Sequence, residues 1–250
     1  MSRVLILSSH VAASPVGGSA QVVVLARRGI ETILAPTVLF GRHPGLGAPG
    51  GGPVPADTFA GMLRGVAASG AFRQIDAVIA GYFANADQIA AAANTIDAVR
   101  AASPAARIVV DPIMGDHPRG LYVAEAVARA VADVLVPRAD LLAPNAWELA
   151  RLAAGATSLD RARALGRPVL VSSLDVGGDI GVLYVDQAEA WLASHRRLES
   201  APNGTGDRLT AHFAARLIEG LPPDEALRGA VEALAVEIMG PTRVRLEAVS

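Results

Sequence analysis

The sequence predicts an α/β fold in which a doubly wound, mostly parallel central sheet is flanked by helices and finished by an antiparallel edge. Three observations carry this. Short apolar or β-branched runs alternate with segments of helical periodicity from near the first residue almost to the last. Residue types able to do chemistry cluster just after the apolar runs, where an open α/β sheet places its ligand crevice. Towards the C-terminal end, two strand-like runs, residues 181–185 and 189–192, follow each other closely enough to form an antiparallel hairpin.

Residues 3–8 read as a strand, 20–28 as a helix and 31–35 as a second strand, an opening βαβ unit. The loop between the first strand and helix holds Ser9-His10-Val11 and then Val16-Gly17-Gly18-Ser19, and on topology alone it is a candidate ligand site. Ser9 and His10 serve equally well there as caps, with His10 satisfied by nearby backbone. Residues 36–55 include Gly50-Gly51-Gly52-Pro53, preceded by Phe40, Arg42 and His43. This composition excludes a helix, and a twenty-residue irregular stretch with aromatic and basic residues suits a flap over a site better than a linker.

A helix over 57–68 and a strand over 75–80 then lead into Gly81-Tyr82-Phe83, and residues 86–102 form the next helix. Residues 107–110 are a β-branched strand that ends in Asp111-Pro112-Ile113-Met114-Gly115-Asp116. An aspartate at a strand's carboxyl end, ahead of a proline turn, points into the crevice. Asp111 and Asp116 suit Mg²⁺, directly or through water, and they equally suit a turn. A helix over 123–135 and a short strand over 140–143 follow, and Pro144-Asn145-Ala146-Trp147-Glu148 opens another helix. Asn145 as N-cap and Glu148 at the third helical position make a capping box. Residues 168–173 are a strand ending in Ser172-Ser173, ahead of the hairpin.

Asn203-Gly204-Thr205-Gly206-Asp207 comes next, followed by a helix over 208–219 whose apolar stripe is Leu209, Phe213, Leu217 and Ile218. Two glycines and a threonine thus stand at a helix N-terminus. The unpartnered amides and the helix dipole there suit a phosphate or a developing anionic oxygen, with Asp207 in the first turn. The same pattern also serves as a tight turn and cap. A helix over 222–239, with Leu227, Val231, Leu234 and Ile238 on one face, closes the chain as a single domain over residues 1–250.

Composition narrows the chemistry. A net charge of −2 gives no basic excess for a nucleic-acid groove. The apolar window 121–136 is broken by Glu125, Arg129 and Asp133, which predicts an amphipathic helix and no membrane association. The run 4–7 is too short for a signal-peptide core. Cysteine is absent, which removes disulfides and thiolate chemistry and suits a cytoplasmic protein. Lysine is absent too, so all 22 basic residues are arginine, and any phosphate chemistry must use backbone amides, arginine or metal.

In order and spacing, Ser9-His10-Val11, Val16-Gly17, Phe40 with His43, Gly81-Tyr82, Asp111 to Asp116, Pro144-Asn145 with Glu148, and Gly204-Thr205-Gly206-Asp207 resemble the pyridoxal kinases of the ribokinase-like superfamily. The resemblance spans essentially the whole chain. It implies a ribokinase-like fold and transfer of the ATP γ-phosphoryl group to the 5′-hydroxymethyl of pyridoxal, with pyridoxine and pyridoxamine as further acceptors. It makes Asp207 the base on that hydroxyl and Gly204, Thr205 and Gly206 the anion hole. Ser9, Val16, His43 and Tyr82 would hold the pyridine ring. Asp116, Tyr122, Asn145, Ser172, Ser173 and Thr205 would contact ATP, and Asp111 and Glu148 would organise Mg²⁺, directly or through water. A homodimer is implied, and a monovalent cation requirement is left open. The chain departs from the family pattern at Ser14-Pro15, Pro44, Ala143, Arg208 and Thr210. A hydroxymethylpyrimidine kinase and a non-catalytic B6-binding protein are the competing readings, while the glycine pattern after the first strand is not the dinucleotide fingerprint.

Overall fold

The computed structural model describes residues 1–249. In chain order its elements are β1 (Arg3–Val11), α1 (Gly17–Arg27), β2 (Glu31–Phe40), β3 (Gly51–Pro53), α2 (Ala56–Ala68), β4 (Ala77–Ala80), α3 (Ala86–Ala102), β5 (Arg107–Val110), β6 (Gly115–Asp116), β7 (Gly120–Leu121) and α4 (Glu125–Ala130). They continue with β8 (Leu141–Leu142), α5 (Ala146–Leu152), α6 (Ser158–Ala164), β9 (Val169–Val176), β10 (Asp179–Val185), β11 (Ala190–Arg196), α7 (Thr205–Ile218), α8 (Pro223–Met239) and β12 (Arg245–Ala248).

One ten-stranded sheet runs in the order β12-β11-β10-β9-β8-β5-β4-β1-β2-β3, and β6 with β7 forms a separate small hairpin. Strands β2, β1, β4, β5, β8 and β9 are mutually parallel. Antiparallel strands finish both sides, β3 beside β2 and β10 to β12 beyond β9. Side chains alternate along each strand: Leu5 and Leu7 of β1 join the core under α2 to α6, while Val4 and Ile6 join the core under α1, α7 and α8. With both faces covered, the parallel strands read as unbroken apolar runs.

Helix α7 is held to the sheet by Leu209 and Phe213, both buried, and Phe213 packs on Tyr184 with centroids 5.6 Å apart. Burial of each side chain stabilises by roughly 1.5–3 kcal/mol, which anchors the helix that carries Asp207.

Several boundaries differ from the sequence expectations. β1 runs on through Ser9 and His10 to Val11, because β2 also continues beside it and pairs His10 with Leu39 and Val11 with Phe40. The stretch 36–55 is therefore not irregular: its first part is strand, and Val38, Leu39 and Phe40 pair antiparallel with Pro53, Gly52 and Gly51. Pro36 is tolerated because it stands beyond the span of β3, where β2 has a free edge. The helix expected over 123–135 divides into α4, a widened π turn at Val131–Leu135 and a 3₁₀ turn at Val136–Arg138. Pro137 has no N–H and its ring crowds the carbonyl of the preceding turn, so a regular helix cannot continue. β9 passes beyond Ser172 and Ser173 to Val176. α6, β12 and the β6–β7 hairpin go beyond the elements expected from the sequence, although the Thr157–Asp160 capping box of α6 is written there.

Candidate active site

The strand order reverses at β1, with β2 on one side and β4 on the other, so the carboxyl ends of β1 and β4 flank the topological switch point. A cleft of about 460 Å³ lies there, and every residue given a site role by the family resemblance lines it. Ser9 and Val16 come from β1 and the loop after it, His43 from the loop joining β2 to β3, and Tyr82 from the end of β4. Asp111, Asp116 and Tyr122 follow β5, Asn145 and Glu148 follow β8, Ser172 and Ser173 belong to β9, and Gly204 to Asp207 open α7. His10 is not part of the lining: its Nδ1 meets the Ser19 hydroxyl at 3.1 Å, a local satisfaction.

No side chain caps α7, which leaves its first amides open towards the cleft. Gly204 at the cap has φ +82°, and a Cβ there would overlap the Pro15 carbonyl oxygen, so glycine is required where the β1–α1 loop meets α7. The Asp207 carboxylate reaches back across this junction. Its Oδ2 accepts the Gly17 amide at 2.8 Å, while its Oδ1 is buried without a partner. Burial pushes the Asp207 carboxyl above the usual range, against the opposing pull of the Gly17 amide, its own amide and Arg208.

The other carboxylates are held differently. Glu148 and Asn145 form the expected capping box, and both Glu148 oxygens are engaged: Oε1 accepts Met114 N at 2.7 Å and Gly115 N at 3.3 Å, and Oε2 accepts Asn145 N at 2.9 Å. Burial nevertheless raises its carboxyl to about 7, with Asp116 adding repulsion. Asp111 Oδ2 accepts the Thr210 hydroxyl at 2.8 Å, and burial followed by the charges of Asp207 and Glu148 pushes its carboxyl well up. Asp116 Oδ1, like Asp207 Oδ1, is buried without a partner. Among the described residues no three carboxylates or imidazoles form a ready metal cage. The donor set fits an ion such as Mg²⁺, which takes one or two carboxylates and completes its shell with water and substrate phosphates. With its oxygens committed to amides, Glu148 suits the through-water form of that reading.

The two non-glycine residues with left-handed backbone among those described, Ile113 at φ +36° and Ser173 at φ +63°, both line this cleft. Such conformations cost of order 1–3 kcal/mol each and concentrate at functional sites. Across the opening, His43 Nδ1 accepts the Gly45 amide at 3.1 Å and lies 3.4 Å from Asn203 Nδ2, and Ser14 Oγ accepts the His43 amide at 3.2 Å. Burial, and then the charge of the nearby Arg119, lower the His43 pKa, and with Nδ1 accepting the Gly45 amide the neutral ring carries its proton on Nε2. Two of the family departures thereby acquire contacts, Ser14 to the His43 backbone and Thr210 to Asp111. Gly17, Arg119 and Asn203 also line the cleft without having been assigned a role from sequence. Gly17 and Asn203 are legible from their places in the Val16-Gly17 pair and the Asn-Gly-Thr-Gly-Asp run, whereas Arg119 is brought in by the fold.

Residues 49–247 match the family model described as phosphomethylpyrimidine kinase. A pyridoxine/pyridoxal/pyridoxamine kinase from Bordetella avium is 31% identical over 264 residues, covering 96% of this chain and 89% of the relative. A pyridoxal kinase PdxY from Leifsonia xyli is 34% identical over 246 residues, 93% of this chain and 87% of the relative. The pyridoxal kinase from Leishmania donovani in complex with ADP and ginkgotoxin superposes with a TM-score of 0.90 at 22% identity, covering 100% of both chains.

Proposed function

This chain belongs to the phosphomethylpyrimidine kinase family, within the ribokinase-like superfamily, and on that premise we propose that it works as a pyridoxal kinase. It transfers the γ-phosphoryl group of ATP to the 5′-hydroxyl of pyridoxal, yielding pyridoxal 5′-phosphate and ADP. Pyridoxine and pyridoxamine are further acceptors in this reading, as the name of the Bordetella avium relative suggests. The observation that carries it is the unpartnered, buried Oδ1 of Asp207 beside the open N-terminus of α7.

In this reading Asp207 takes the proton of the 5′-hydroxyl as its oxygen attacks the γ-phosphorus, and the bond to the bridging oxygen of ADP breaks. The transition state is loose, so positioning and charge neutralisation carry most of the catalysis. Gly204, Thr205 and Gly206 donate amides to the transferring phosphoryl oxygens. The Gly17 amide fixes Asp207 Oδ2 and leaves Oδ1 to accept the proton. Ser9, Val16, Tyr82 and the Nε2–H of His43 orient the ring, while Asn145, Ser172, Ser173, Thr205 and Tyr122 bind the nucleotide. Asp111 and Asp116, with Glu148 through water, would hold Mg²⁺, which would neutralise phosphate charge when bound. The chain acts as one kinase domain, as a homodimer, in the cytoplasm. Its dependence on a monovalent cation is read by exchanging potassium for sodium in the assay.

The test is ADP release measured with pyridoxal, with hydroxymethylpyrimidine and with no acceptor. Turnover dependent on pyridoxal supports the reading. Preference for hydroxymethylpyrimidine would make the chain a hydroxymethylpyrimidine kinase on the same fold, and no acceptor-dependent turnover would leave a B6-binding protein.

A further inference from the structure

The cleft is unbalanced in charge. Asp111, Asp116, Glu148 and Asp207 line it, and Arg119 is the one arginine among its lining residues in a chain without lysine. Arg119 enters none of the ion pairs among the described residues. It is exposed, and its side chain enters no hydrogen bond among the described residues.

Its position is nevertheless well supported. Arg119 stands in the turn of the β6–β7 hairpin, whose base is fixed to the start of α5. Glu148 Oε1 accepts the Met114 and Gly115 amides, Asn145 Nδ2 donates to the Gly115 carbonyl at 2.8 Å, and Tyr122 N donates to the Met114 carbonyl at 3.0 Å. The Trp147 ring packs so closely that a Cβ on Gly115 would stand 2.6 Å from it. The tip of this braced hairpin faces the β2–β3 loop, where Arg119 Nη2 lies 3.7 Å from the point a Cβ on Gly45 would occupy. A guanidinium is thus held at the mouth of an otherwise acidic cleft, between two hairpins.

We propose that Arg119 binds a phosphate group at this mouth, supplied either by the nucleotide or by the newly phosphorylated vitamer. The inference rests on the kinase reading for the identity of its ligands. The planar guanidinium offers paired N–H donors matched to phosphate oxygens, and its charge offsets the four carboxylates that would repel a polyanion. Among the lining residues Arg119 is the one arginine, and backbone amides, hydroxyls and metal are the other means of holding phosphate there.

Isothermal titration of wild type, Arg119→Met and Arg119→Lys decides it, with three probes: a non-hydrolysable ATP analogue, pyridoxal 5′-phosphate, and pyridoxal as the phosphate-free control. Methionine keeps the apolar stem and removes the charge. It should weaken at least one phosphate ligand by about tenfold or more, leave pyridoxal affinity and the melting temperature unchanged, and be partly rescued by lysine. Loss confined to the analogue assigns Arg119 to the nucleotide, loss confined to pyridoxal 5′-phosphate assigns it to the product, and loss of both places it on the transferred group. Unchanged affinity for both phosphate ligands overturns the proposal, as does an equal loss for pyridoxal. Binding is read without turnover, so a wild type that fails to phosphorylate pyridoxal would sink the kinase reading while this test still decides Arg119.

Discussion

At Asp207 one oxygen is committed to Gly17 and the other is left without a donor, an arrangement costly for folding and suited to taking a proton. Asp207→Asn should lower kcat by roughly 10² to 10⁴, about 3 to 5 kcal/mol of barrier, with KM values for ATP and pyridoxal nearly unchanged. Steady-state kinetics measure this, and a kcat within about threefold of wild type removes Asp207 from the base role. Because burial raises its carboxyl, Asp207 is protonated as pH falls through a value above the usual 3.8. The acid limb of kcat should accordingly lie above that value, and a limb at or below about pH 4 would contradict the assignment. The linkage sign is the reverse for stability: a raised carboxyl contributes stability below its unfolded pKa that is lost as pH rises through the folded one. The asparagine variant should therefore be at least as stable as wild type at neutral pH. Thr210 makes the opposite case. Thr210→Val strips a buried donor from Asp111 and should cost about 1–3 kcal/mol in chemical denaturation, while Thr210→Ser retains most of it. A valine variant as stable as wild type would show that this hydrogen bond contributes nothing net.

The β2–β3 arm is the element in which stability and function separate. Three ladder pairs and a few flanking backbone bonds, such as those from the Gly41 and Arg42 amides to the Pro49 carbonyl, close it, and its loop, with His43 tied to Ser14, Gly45 and Asn203, lies over the cleft. Few buried contacts and exposed backbone bonds are the marks of a segment that opens locally. Saturating pyridoxal with an ATP analogue should slow hydrogen exchange in residues 41–50, and unchanged exchange would mean that the arm does not cover substrate. Gly51 has φ +80°, and a Cβ there would overlap the Leu39 carbonyl oxygen. Gly51→Ala should displace the arm and raise KM for pyridoxal severalfold while barely moving the melting temperature, because the core lies elsewhere. A large drop in melting temperature would instead make the arm part of the cooperative fold.

For the molecule as a whole, no helix among the described residues is long and apolar enough to cross a membrane. Val23 on α1 and Val236 on α8 are exposed beside the Arg27–Glu237 ion pair that joins the two helices. Covering these side chains is what a second copy would gain, and light scattering at micromolar concentration should find a dimer; a monomer overturns that proposal. The sequence by itself determined the alternation of strand and helix, the antiparallel edge and the motifs that line the cleft, because these are written in short-range periodicity and in local turns such as the Asn145–Glu148 capping box. Tertiary structure alone decided what spans the chain. The Gly17 to Asp207 bond joins residues 190 apart, and the Thr210 to Asp111 bond joins residues 99 apart. The extension of β1 and β2 into a paired arm is equally invisible locally, since a strand that ends or continues according to its neighbour carries no signal in its own residues. Which lone pairs of the cleft remain free is settled only when distant amides and hydroxyls have claimed the others.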